Sequence, residues 1–142
     1  MSTSSAIDPE TIRAYERTHY VVADESDLIL RVGQFSPGLA ALHARHGCST
    51  SAFLTACNPY SRPMDAATNQ ARQQQLAREL QAQGWTFRDG EGQDPHGAWT
   101  AEASFLVLGL DRETASGLAH RFEQNAYLWN GADAIPRLVL LR

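Results

Sequence analysis

Glu102 is the residue best placed for acid–base chemistry. In the apolar stretch 101–110 strict alternation puts it on one face with Ser104, Leu106 and Leu108. That face reads as the covered side of a sheet, where a carboxylate must be paired, hydrogen-bonded or functional. The structural reading is a carboxylate that binds loop backbone; the functional one is a general acid or base. Asn58 follows a second apolar stretch, and Asn69 lies seven and eleven residues before Leu76 and Leu80, on their helix face. A buried amide must find partners, so each Asn either ties loop backbone together or meets a ligand. Thr55 and Gln124 add a hydroxyl and an amide to this polar set. Arg62, just before a helix start, suits an anion; as an ordinary surface residue it is merely solvated. Asp94-Pro95-His96-Gly97 is most simply a turn, and as a Gly-rich loop with one His it also suits a lid.

Other chemistries find less support. His43, His46 and Cys48 form H-x-x-H-x-C, but no fourth zinc ligand lies nearby and the helix ends inside the pattern. No metal and no cofactor are expected. Cys57 stands at a strand end without a local His partner, and a buried strand Cys behaves as a small hydrophobe. No serine sits in a G-x-S-x-G elbow. All twelve basic residues are Arg, which removes a phosphate-loop lysine, a Schiff-base lysine and a lysine general base. With scattered Arg and a net charge of −4, nucleic acid is not the expected partner.

The elements that must position these groups follow from local signals. Asp8-Pro9-Glu10 starts a helix over 9–17. Runs at 20–23 and 28–32 flank Asp24-Glu25-Ser26-Asp27 as a hairpin. Ser36-Pro37 starts a second helix that Gly47 stops. Residues 51–57, apolar on both faces, read as a central strand broken by Asn58-Pro59. A disulfide between Cys48 and Cys57 is not expected, because nine residues of strand span roughly 30 Å and a disulfide needs Cα atoms within about 7 Å. Asp65 caps a long helix that Gly84 ends. A short strand at 85–88 leads into a polar Gly-rich loop, 89–97, and then the second central strand, 101–110. Asp111 caps a helix whose Ala115, Leu118, Ala119 and Phe122 share a face, and 125–129 with 135–141 close the chain as a hairpin.

The predicted order is α-β-β-α-β-α-β-β-α-β-β in one domain, 1–142, with 1–8 flexible. This is an α+β fold: a mixed, mainly antiparallel sheet with helices packed on it, and a parallel crossover only around 51–88. If the two central strands run antiparallel, Glu102 and Ser104 meet the Asn58 loop and the Asn69 helix start at one sheet edge, where the 94–97 loop also ends. The side taken by Gln124 stays open. No 20-residue apolar run or basic, apolar leader is present, so the expected location is the cytoplasm, with no membrane partner.

Phe53-Leu54-Thr55-Ala56-Cys57-Asn58-Pro59, Asn69, Gly92-Gln93-Asp94-Pro95, Glu102-Ala103-Ser104-Phe105 and Phe122-Glu123-Gln124-Asn125-Ala126 together resemble the family known as domain of unknown function 3293. The likeness covers roughly 15–130. It implies a stand-alone bacterial protein with no established activity, and it supports Thr55, Asn58, Asn69, Glu102, Ser104 and Gln124 as a polar set. In that pattern other residues replace the counterpart of Cys57, which weakens a thiol mechanism. It usually has Gly at the place of Glu123, so the chain's approach to the last hairpin is expected to differ. Two functions follow. The first is binding of a small polar or anionic ligand, with Glu102 as general acid or base on an amide or glycosidic substrate in its enzymatic version. The alternative is a structural or protein-interaction module in which the polar set only stabilises the fold. An open pocket around Glu102 favours the first; a filled, fully hydrogen-bonded cluster favours the second.

Overall fold

Among the described residues four side chains start four helices. Asp8, Ser36, Asp65 and Asp111 each accept a backbone N–H from the first turn, at 2.9, 3.1, 2.6 and 2.7 Å, which satisfies one donor that helix geometry leaves open. The helices are α1 (Pro9–Arg17), α2 (Pro37–Arg45), α3 (Ala66–Ala82) and α4 (Arg112–Arg121). The computed structural model describes residues 5–23 and 28–142, so the acidic turn at 24–27 lies outside the described residues.

The C-termini of α2, α3 and α4 share one device. In each, the residue after the cap is left-handed: Gly47, Gly84 and Glu123, at φ 63°, 78° and 59°. The two N–H groups that follow the cap then return to the last turn, as Gln124 does to the Ala119 carbonyl and Glu123 to that of His120, both at 3.0 Å. A side chain in this conformation costs about 1–2 kcal/mol. Glu123→Gly is therefore expected to raise stability by about 0.5–1 kcal/mol, measured by urea unfolding. A loss of stability would show that the half-exposed contact of Glu123 with Arg72 outweighs the backbone strain.

Among the described residues seven strands make one sheet: β1 (His19–Val22), β2 (Ile29–Leu30), β3 (Ser51–Leu54), β4 (Phe87–Gln93), β5 (Glu102–Leu108), β6 (Ala126–Asn130) and β7 (Pro136–Leu140). Their order is β2-β1-β4-β5-β3-β6-β7, and every neighbouring pair is antiparallel. The fold is α+β with the order of elements read from the sequence. The β3-α3-β4 unit does carry the chain between two parallel strands, but β5 lies between them. Of the strand limits that differ from expectation, two bear on the polar cluster. The first central strand stops at Leu54, three residues early, because the Thr55 hydroxyl rather than the backbone takes the Ala103 carbonyl, at 2.7 Å. Residues 89–93, expected as loop, continue β4.

Packing explains that second difference. Gly90 lies beneath the Phe53 ring: a Cβ there would meet ring carbons at 2.7 and 2.9 Å and the Val21 carbonyl at 2.9 Å. The glycine that looks like loop is a strand residue making room for an aromatic ring. Phe53 stands edge-on to Tyr20, with ring centres 5.3 Å apart. It joins Leu39 and Leu42 of α2, Leu106, Leu108 and Leu128 in the core on one sheet face. Leu76 and Leu80 of α3 and Ala115 and Leu118 of α4 cover the other face, against Leu54, Phe105 and Val107. Both cysteines are free thiols, Cys57 buried and Cys48 partly so.

Candidate functional site

Antiparallel pairing of β3 and β5, with Leu54 opposite Phe105, sets the N-terminal end of β5 beside the chain leaving β3. There Asn58, Asn69 and Glu102 meet. The Asn58 Nδ2 donates to Glu102 Oε2 at 2.8 Å. Its Oδ1 accepts from the Met64 N–H at 3.0 Å and from Asn69 Nδ2 at 2.8 Å. The Asn58 N–H donates to Asn69 Oδ1 at 2.9 Å. Asn69 is in the first turns of α3, so this helix, the segment that follows β3 and the strand β5 each supply one member. Glu102 is half-buried. Burial raises its pKa above the ordinary carboxylate range, opposed in part by the Asn58 hydrogen bond. Oε2 takes that bond, while Oε1 has no hydrogen bond among the described residues.

The remaining candidates divide into two groups. Thr55 spans the strand end, its Oγ1 donating to the Ala103 carbonyl at 2.7 Å and accepting the Cys57 N–H at 3.0 Å. Gln124 is buried and donates to the carbonyls of Cys57 and Phe122, both at 3.0 Å. Ser104 is buried and donates to the Glu102 carbonyl at 3.2 Å. These three hold backbone around the cluster. Arg62 and His96 are exposed and share no hydrogen bond with it. The His96 backbone N–H closes a turn onto Asp94 at 2.9 Å.

Several residues of this sheet end had escaped the sequence reading. Arg72 donates through Nε to the Ala56 carbonyl and through Nη2 to the Phe122 carbonyl, both at 2.6 Å. Gln73 Oε1 accepts the Ala56 N–H at 3.0 Å and faces the Cys57 thiol. Asn69, Arg72 and Gln73 stand on one face of α3 with Leu76 and Leu80, so helical spacing was a usable signal for them. No such signal exists for the second network. Asn125 donates to Tyr15 and Ser61 hydroxyls at 3.3 and 3.0 Å, Tyr15 bonds Ser61, and Arg142 donates to Asn125 Oδ1 at 3.1 Å. The Arg142 guanidinium also lies 4.4 Å over the Tyr60 ring.

Backbone strain collects here too. Asn58, Tyr60 and Ser61 are left-handed, at φ 48°, 53° and 59°, and Glu123 faces them with its carbonyl on the Tyr60 N–H at 2.7 Å. Such residues persist only where their surroundings over-determine them. A cleft of about 430 Å³ at the start of α2, beside Arg31 and Phe35, is elsewhere in the fold. Among the described residues no three His, Cys, Asp or Glu are grouped to hold a metal. His43 points instead at Ser51, and His46 at Arg88.

A family model described as a protein of unknown function (DUF3293) matches residues 54–127. That segment opens on the last residue of β3 and closes within β6, and it holds every member of the Asn58, Asn69 and Glu102 cluster. No curated protein matches the chain, and no solved structure does.

Proposed function

This chain belongs to that family of proteins of unknown function (DUF3293), and from that premise we propose that it is a non-catalytic binding domain for a small polar or anionic ligand, met by the segment 58–64. The supporting observation is how Asn58 is used. All its side-chain polar atoms bond within the protein, and they brace a segment with three left-handed residues in four positions. Strained backbone held this firmly is a feature of ligand clamps. The segment turns Arg62 and Met64 to solvent, and a guanidinium recognises carboxylate or phosphate oxygens. The net charge of −4 favours a small ligand over nucleic acid. No helix among the described residues is long and apolar enough to cross a membrane. A bacterial cytoplasmic setting belongs to the same proposal.

The test is thermal melting against a panel of carboxylates, phosphates, sugars and amides, since a ligand that prefers the folded chain raises its melting temperature. An oxyanion in that panel should stabilise the wild type and lose its effect on Arg62→Ala, whose unliganded stability should be unchanged because Arg62 is exposed. A panel without effect, or a ligand indifferent to Arg62→Ala, refutes the reading in favour of a structural or interaction module.

The uncommitted Oε1 of Glu102 and the raised pKa of this carboxyl favour one second reading, in which Glu102 is a general acid or base. Two substitutions show what the carboxylate does to the fold. Its pKa is raised by folding, so its contribution to stability is complete below the unfolded value and is lost as pH rises through the folded one. Glu102→Gln keeps an acceptor for Asn58 without that penalty, and should equal or exceed the wild type at pH 7, with the gap closing toward pH 4. Glu102→Ala leaves the Asn58 amide unpaired and should cost about 1–2 kcal/mol. Urea unfolding over pH 4–8 reads both. A Glu102→Gln variant weaker than the wild type at neutral pH would mean that the negative charge itself supports the fold, which favours a structural role for the carboxylate over an acid–base one.

A further inference from the structure

We propose that His43 is a proton-operated latch that holds α2 on the sheet at neutral pH and releases it on acidification. The knot it forms is buried and polar in apolar surroundings. His43 on α2 is 4% exposed, while Ser51 on β3 and Asn130 on β6 are both at 0%. His43 Nε2 lies 2.8 Å from Ser51 Oγ, and Asn130 Nδ2 donates to the same oxygen at 3.0 Å. One helix and two neighbouring strands therefore meet at one hydroxyl. Around them Leu39, Leu42, Phe53, Leu106, Leu108 and Leu128 form the core of that sheet face.

In the arrangement this proposal assigns, Ser51 Oγ accepts from Asn130 and gives its own proton to His43 Nε2, with the neutral ring carrying its proton on Nδ1; the other tautomer would leave the Ser51 proton without an acceptor. The Asn130 Oδ1 is buried with no partner, a tolerable cost for a carbonyl oxygen. Protonating Nε2 turns the acceptor into a donor and leaves Ser51 Oγ facing two donors. Then either the Ser51 hydroxyl or, if the Asn130 amide turns over, its NH2 group is left without an acceptor. A buried charge and a buried orphan donor arise together, both costly.

Among the described residues no carboxylate is hydrogen-bonded to His43. From α2 itself Arg45 and His46 flank the ring in sequence, Arg88 of β4 bonds His46 at 3.2 Å, and the Cys48 thiol packs against the same core. Burial alone lowers the His43 pKa below the ordinary histidine value. Its contribution to stability is therefore present above the ordinary value and lost as pH falls through the folded one. Release of α2 would uncover Leu106 and Leu128, which are otherwise buried.

The experiment follows the wild-type chain from pH 7.5 to 5. The imidazole nitrogens are read by NMR, and amide hydrogen exchange is read in α2 and α4 after correction for the intrinsic effect of pH. The expected result is a neutral, Nδ1-protonated His43 at pH 7.5. Exchange in α2 should then accelerate about tenfold per pH unit below the folded His43 value, while α4 keeps its protection. His43→Gln, which cannot titrate, should abolish the pH dependence of α2. The idea is overturned if His43 titrates at the ordinary value, if α2 and α4 lose protection in parallel, or if α2 keeps its protection with a protonated ring. These readouts on the wild type hold even if the variant folds poorly, and none depends on a ligand at residues 58–64.

Discussion

Replacing Arg72 by alanine is expected to cost about 2–4 kcal/mol, the largest loss for any residue at the sheet end outside the apolar core. Its guanidinium bridges two chain segments that Gln124 also ties, through the carbonyls of Cys57 and Phe122. One arm takes the Ala56 carbonyl where the chain leaves β3, and another takes the Phe122 carbonyl at the end of α4, each at 2.6 Å. Hydrogen bonds from a charged donor contribute about 1.5–3 kcal/mol each, and two on one side chain are not additive. The Glu123 carboxylate 3.5 Å away adds little, being half-exposed. Arg72→Lys should recover less than half of the loss, because a single ammonium cannot reproduce a planar fork that reaches two carbonyls. Chemical denaturation of the three proteins provides the comparison. A loss below about 1 kcal/mol for Arg72→Ala would mean that water replaces the guanidinium at both carbonyls.

Asn58→Ala should be nearly as damaging, at about 2–4 kcal/mol, for two separable reasons. The substitution removes the side-chain bonds to Glu102, Met64 and Asn69 and places a Cβ residue with no polar side chain at φ 48°. Asn tolerates that conformation through local hydrogen bonds, and Ala does not. Asn58→Gly removes the same bonds without the backbone strain, so it should be about 1 kcal/mol less destabilising than Ala. A matched pair of losses would show that strain is unimportant here. The double variant Asn58→Ala/Glu102→Ala should fall short of the summed single losses, since both break one contact. Full additivity would mean that the 2.8 Å bond contributes nothing measurable.

Much of this arrangement could be read from the chain before any coordinates. Asp8, Ser36, Asp65 and Asp111 announce helix starts because capping is local chemistry, and Gly47 and Gly84 announce stops for the same reason. The meeting of Asn58, Asn69 and Glu102 followed from one topological assumption, antiparallel central strands, since strand ends then dictate neighbours. What stayed hidden depends on contacts between distant segments. Residues 89–93 have loop composition, and only the Phe53 ring above Gly90 explains why they form strand. Glu123 gives no stop signal, yet it takes the position that Gly47 and Gly84 take in the other helices. Tyr15 and Asn125 are 110 residues apart, and no periodicity connects them. The position of Arg62 and His96, by contrast, was not decidable from order alone. Both lie in segments that end at the cluster, while their side chains remain at the surface.

The interposed strand also constrains the route by which the chain can assemble. Leu54 and Phe105 pair across 51 positions of sequence, whereas β4 and β5 are joined by only the short segment between Gln93 and Glu102. Closing the short loop costs less entropy, so the β4–β5 hairpin should nucleate first and then insert, as a unit, beside β3. The gap it fills must remain open while α3 crosses over it. A substitution at Gly90, inside that hairpin, should accordingly slow refolding, while one in the terminal β6–β7 hairpin should mainly hasten unfolding. The bond that joins Glu102 to Asn58 can form only once that insertion brings β5 beside β3, so the braced loop follows the hairpin in every newly made chain.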